Sequence, residues 1–175
     1  MPTFRNAHIL GICLALAGAV TVAALEAGSP ALADTDTGTT TANVEVTSSI
    51  TLSDLTASFT LTGAPTDTPS TQISMKVTTN NFAGYNVTVA PATANLTGAI
   101  AGNSDVIPAG LLQVKGTGVG AAFTGLTFGT PLVVHTQDNA SVAAGDTINN
   151  DYQITIPFVR PDTYTTTLNY VATTL

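Results

Sequence analysis

Residues 151–175, DYQITIPFVRPDTYTTTLNYVATTL, decide the fold class of this chain. Tyr152, Ile154, Ile156 and Phe158 alternate with Gln153, Thr155 and Pro157. Apolar residues at every second position are the period of a strand with one buried face. Arg160, Pro161, Asp162 and Thr163 supply a turn, because proline presets φ and aspartate bonds forward to the backbone. A second alternating run follows, with Tyr164, Leu168 and Tyr170 spaced by threonines. The two runs read as an antiparallel hairpin that closes the domain.

Upstream, the same period recurs. Ile73, Met75 and Val77 alternate cleanly, Asn80-Asn81-Phe82-Ala83-Gly84 turns the chain, and Tyr85, Val87 and Val89 return. This predicts a second hairpin over residues 71–90. Strands are expected from Ala42 onward, first with Val44 and Val46, then Ile50 and Leu52, then Leu55, Phe59 and Leu61. Residues 63–70 (GAPTDTPS) read as a loop, since neither proline suits a central strand. Residues 107–114 and 132–134 read as strands. The glycine-rich stretch 116–129 reads as a surface loop with short strands near Leu126 and Phe128, and it lacks the G-K-[ST] of a phosphate-cradling loop. Residues 137–150 read as a polar loop. No window outside the N-terminal stretch gives a helical apolar period. The expected fold is all-β: an antiparallel two-sheet β-sandwich, Ig-like, of roughly seven to nine strands over residues 42–175.

The first 33 residues read as a secretory signal peptide. Arg5 gives the positive start, residues 9–25 are apolar, and Ala31-Leu32-Ala33 is an A-x-A cleavage site. Asp34 is then the expected mature N-terminus. An uncleaved anchor is the alternative, because the apolar stretch is near the lower limit for spanning a bilayer. Cys13, the only cysteine, lies inside the apolar stretch and leaves with it, so the mature chain is expected to lack disulfides. An exported domain without disulfides suits a bacterial surface. Residues 34–41 (DTDTGTTT) read as a flexible polar lead-in.

The chain has 175 residues, of which 9% are charged, and no tryptophan. Threonine and valine dominate the strand regions, and both fit a pleated, half-exposed surface. The net charge is −7, and it is unchanged by cleavage because Arg5 and Glu26 leave together. An acidic chain with Lys76, Lys115 and Arg160 as its only mature cations argues against nucleic acid and against anionic lipid as partners.

Catalytic groups are sparse. His135 is the one mature histidine, beside Val133 and Val134, and reads as a structural strand or rim residue. No H-E-x-x-H, G-x-S-x-G or S-x-x-K occurs. An activated hydroxyl needs an adjacent base, and bases are few. The expectation is a non-enzyme with no cofactor. Asp146, Asn149, Asn150 and Asp151 offer the oxygen ligands calcium takes, but without EF-hand spacing, and the plainer reading is turn residues bonding locally. Three N-x-[ST] sequons begin at Asn86, Asn95 and Asn139. Among the tyrosines Tyr85, Tyr152, Tyr164 and Tyr170, the first two are the candidate ligand-binding residues. The favoured reading of all four is half-buried strand residues with their hydroxyls at the rim.

Residues 75–89 (MKVTTNNFAGYNVTV) resemble the strand, N-x-x-G-[YW] turn and strand of the bacterial WxL-type cell-surface domain. Residues 163–170 (TYTTTLNY) resemble that domain's closing T-Y-x-x-T-[LV]-x-[YW] strand. The resemblance implies an exported β-sandwich held non-covalently to the cell envelope. The W-x-L tripeptide itself is absent, so no wall-contacting residue carries over. The leading expectation is therefore a secreted or cell-wall-associated bacterial domain that binds a cell-wall polymer or a surface protein. One alternative is a fibre subunit that assembles by strand addition through residues 34–41, although that segment lacks apolar anchors. The other is a carbohydrate-binding module using Tyr85 and Tyr152.

Overall fold

The computed structural model describes residues 34–116 and 122–175. Ala31 and Ala33, with the rest of the expected leader, lie outside the described residues, and Asp34 is exposed. Eleven strands occur among the described residues: β1 (Ile50–Ser53), β2 (Ser70–Thr79), β3 (Tyr85–Pro91), β4 (Asn95–Gly98), β5 (Val106–Pro108), β6 (Leu112–Gly116), β7 (Thr124–Gly125), β8 (Leu132–Gln137), β9 (Asp146–Ile154), β10 (Tyr164–Thr165) and β11 (Leu168–Thr174). The one helical element described is a single 3-10 turn, Ala109–Leu111. No helix among the described residues is long and apolar enough to cross a membrane.

The strands form three antiparallel sheets, ordered β1-β2-β9-β6-β7, β11-β3-β8 and β10-β4-β5. The described residues are thus all-β, as the alternation predicts, but with eleven strands in three sheets where seven to nine in two were expected. The pairings differ from the predicted ones. β2 pairs with β9, from Ser70↔Gln153 to Val77↔Asp146, and β3 pairs with β11 and β8. Residues 71–90 are therefore no hairpin, because the turn at Asn80–Gly84 carries the chain from one sheet to another. The closing hairpin fails for the same reason. β9 ends at Ile154, β10 joins β4, and β11 joins β3 in a different sheet. Pro157 interrupts the alternation, since proline offers no N–H to a ladder. Val44 and Val46 lie outside any strand, as do Leu55, Phe59 and Leu61.

Alternation still dictates burial. Ile73, Met75 and Val77 of β2, Ile148, Tyr152 and Ile154 of β9, and Leu112 and Val114 of β6 turn inward from the five-stranded sheet. Tyr85, Val87 and Val89 of β3 and Val134 of β8 belong to the same apolar cluster, and Phe59 and Leu61 pack against it. Full burial of such a side chain contributes about 1.5–3 kcal/mol. The described ion pairs, Lys76–Asp54, Lys115–Asp151 and Arg160–Asp105, are solvent-exposed or half-exposed. Pairs of that kind contribute about 0–1 kcal/mol each, so the core holds the fold. The core lies within one compact unit, Val44–Leu175.

Candidate functional site

The two tyrosines singled out in the sequence lie inside the core. Tyr85 and Tyr152 are both 0% exposed, so neither ring presents a face to a ligand at the surface. The reason is register: both occupy the inward set of their strands. Tyr85 Oη donates to Asp146 Oδ2 at 2.9 Å, and its ring lies 5.6 Å from that of His135. Burial, then the bond to the Asp146 carboxylate, pushes the Tyr85 hydroxyl pKa well up. The Tyr152 ring packs on Phe59 at 4.9 Å, and its hydroxyl is bonded to that of Tyr170. Burial raises both of these hydroxyl pKa values too. Asn150 Nδ2 donates to Tyr170 Oη at 3.4 Å. These bonds tie β9 to β3 and β11 through the core, although Asn150 Oδ1 is buried without a hydrogen-bond partner among the described residues.

The acidic and amide cluster at 146–151 is neither a loop nor a turn. It lies within β9, whose period sends Asp146 and Asn150 to the core side and Asn149 and Asp151 to the opposite face. The four side chains do not converge on a point, so the strand separates the ligands calcium would need. No group of three or more His, Cys, Asp or Glu able to hold a metal ion occurs among the described residues.

What sequence reasoning missed is the outer face of the five-stranded sheet. The register sets Gln72 of β2 and Lys115 of β6 opposite Asp151 of β9, and Gln113 opposite Gln153. Gln72 Nε2 donates to Asp151 Oδ1 at 2.8 Å, and Lys115 Nζ lies 3.2 Å from Asp151 Oδ2. Gln153 Nε2 donates to Gln113 Oε1 at 2.7 Å. Lys115 Nζ also sits 5.1 Å from the centre of the Phe123 ring. Ser70, Thr71, Gln72, Lys115, Phe123, Asp151 and Gln153 line an open depression of about 440 Å³. The bond from Gln72, with the Lys115 ammonium, holds the Asp151 carboxyl below the usual carboxylate range. This shelf offers amide, carboxylate and ammonium groups in fixed positions, able to hydrogen-bond a polar ligand.

A second polar knot stands at Asp162. Its carboxylate accepts from Asn103 Nδ2 at 2.7 Å and from the backbone N–H groups of Ile100, Thr163 and Ala99. These bonds, Asn103 foremost, lower its pKa. Tyr164 Oη accepts from the same Asn103 and donates to Arg160 O at 2.9 Å. The knot fastens residues 98–103 to residues 160–164.

A carboxylate with a folded pKa below its unfolded value stabilises the fold above the unfolded value. That contribution is lost as pH falls through the folded one. Asp151 and Asp162 both belong to this class. Thermal stability is thus expected to hold from neutral pH down to about 5 and to fall below about 4, the unfolded aspartate value. Asp162→Asn should flatten that acid limb in melting-temperature scans. An unchanged limb in this variant would remove Asp162 from the account.

No protein-family model matches the chain, and a search of the curated proteins returns no match.

Proposed function

We propose that the chain is an exported bacterial surface protein whose Ig-like β-sandwich binds a cell-wall polymer or another surface component without catalysing a reaction. The observation that carries this reading is the shelf of Gln72, Asp151, Lys115 and Gln153, held by cross-strand bonds on an outer sheet face. The secretory leader read in residues 1–33 supports it, as does the resemblance of residues 75–89 and 163–170 to the WxL-type domain. Net charge narrows the ligand. At −7 the protein is repelled by polyanions, so a neutral glycan rich in hydroxyl and amide groups fits the shelf better than a phosphate-bearing polymer. The buried Tyr85 and Tyr152 give no aromatic platform, and any sugar contact falls to the shelf's polar groups and Phe123.

Co-sedimentation with washed cell walls at low salt tests this. The protein is expected in the pellet, and Asp151→Ala and Gln72→Ala should each move it toward the supernatant, by about tenfold in affinity if one charge-assisted bond is lost. Failure of the unsubstituted protein to sediment removes wall binding. Sedimentation unaffected by both variants moves the site off the shelf.

A further inference from the structure

The sheets of this domain end in strands that differ in how well they are protected. β1 spans four residues, β5 three, and β7 and β10 two each. β8 carries a register shift opposite Val87 and Thr88. Short length and bulges are the means by which natural sheets blunt an edge. β11 has neither. It pairs with β3 without interruption from Leu168↔Pro91 to Thr174↔Tyr85. Its sequence, LNYVATT, contains no charge, no proline and no glycine. β1 approaches β11 but pairs with β2. The outer backbone groups of β11 therefore face no paired strand among the described residues.

The same domain carries a stretch that has no strand partner among the described residues. Residues 44–49 enter β1 without a turn or bend, and all are exposed. Val44 is 88% and Val46 77% exposed. Valines two apart fall on one side of an extended chain, with Glu45 on the other. The root of this arm is fixed. Asn80 Nδ2 donates to Thr47 O, and Asn80 Oδ1 accepts from the Ser49 N–H, both at 2.8 Å. Thr79 Oγ1 donates to Ser49 O at 2.6 Å. One amide that takes a carbonyl and the N–H two residues on does what a neighbouring strand does. Upstream of Thr47 no such substitute is found among the described residues, while the alternating valines continue.

We propose that residues 42–47 (ANVEVT) of one copy add as a strand to the free edge of β11 of a second copy. The contact takes backbone hydrogen bonds from the edge and burial of Val44 and Val46 against the neighbour. Donor and acceptor are different surfaces, so the contact is head to tail and repeats into rings or open chains. The donor lies further along the chain than the polar residues 34–41, which lack anchors. This inference does not depend on wall binding.

The test is analytical ultracentrifugation of the full chain, expressed for export, with hydrogen exchange measured over a range of protein concentrations. Association is expected to rise with concentration, and outward-facing amides of residues 168–174 should slow as it does. Val44→Asp with Val46→Asp should weaken association by at least about tenfold, the scale of one lost apolar anchor, and leave the melting curve unchanged because neither valine touches the core. Val171→Lys, which charges the acceptor strand, should weaken it as well. Phe82→Ser is the control, because Phe82 is 90% exposed and offers an unrelated apolar contact. The proposal is overturned by a monomer at all concentrations, or by β11 protection that does not vary with concentration, since the arm then folds onto its own edge. It is equally overturned if association is lost in Phe82→Ser but kept in the valine double variant.

Discussion

Replacing Tyr152 by alanine is expected to lower the free energy of unfolding by about 3–5 kcal/mol, the usual cost of emptying a large aromatic site in a core. Three losses combine. The ring is 0% exposed and packs on Phe59. Its hydroxyl is bonded to that of Tyr170, which is left with only a long bond from Asn150. The cavity would open beside Ile154 and Val114, whose β-strand backbones are tied on both sides and cannot collapse freely. Tyr152→Phe separates the terms. It keeps the volume and removes the hydroxyl, so it should cost about 1–3 kcal/mol, the penalty of one unsatisfied buried partner. Urea unfolding followed by circular dichroism measures both. A Tyr152→Ala protein that is nearly as stable as the unsubstituted one, yet loses binding to its ligand, would assign this residue a ligand-binding role instead.

That pattern was informative about strands and silent about neighbours. Ile73, Met75 and Val77 alternate because β2 buries one face, and Val87 and Val89 do so because β3 does. Alternation reports that a face is covered; it carries no label for the covering strand. Between β2 and β3 lie only five residues, Asn80 to Gly84, a length typical of hairpins. Here the same length carries the chain between sheets, and the pairing of β2 that decides this is with residues 146–153, far along the sequence. Residues 151–175 misled in the same way, with one available signal overlooked: Pro157 cannot extend the ladder begun at Asp146. Val44 and Val46 show the converse, a strand-like period with no strand partner among the described residues.

The shelf was illegible for a related reason. Gln72, Lys115, Asp151 and Gln153 are the polar alternates of three strands, and each looks like ordinary solvated surface. Only the registers Gln72↔Asp151 and Lys115↔Asp151 bring them together. The oxygen-rich residues 146–151 were conspicuous because they are neighbours in sequence. The two-residue period of β9 sends them to opposite faces.

Gly84→Ala should be strongly damaging, because two penalties combine at that position. Gly84 has φ +96°, and a Cβ there would stand 1.9 Å from Gln137 O and 2.8 Å from Asn139 N. The positive φ costs an alanine about 1–2 kcal/mol, and forcing an extra carbon into packed backbone costs about 1–3 kcal/mol more. Neither obstacle can rotate away, since both are main chain. The backbone at Gly84 is also committed, with its carbonyl accepting from Asn81 Nδ2 and from the Leu175 N–H. A shift that relieves the clash therefore disturbs the sheet crossing and the end of β11 together. Gly102→Ala provides the comparison: its φ is +86°, but nothing lies within 4 Å of the added carbon. It should cost about 1–2 kcal/mol, the backbone term alone. Chemical denaturation of the two variants side by side isolates the packing term. If the two losses are equal, backbone conformation alone requires glycine in the Asn80–Tyr85 turn. A Gly84 loss exceeding the Gly102 loss by about 1–3 kcal/mol identifies the approach of the β8 backbone as the constraint.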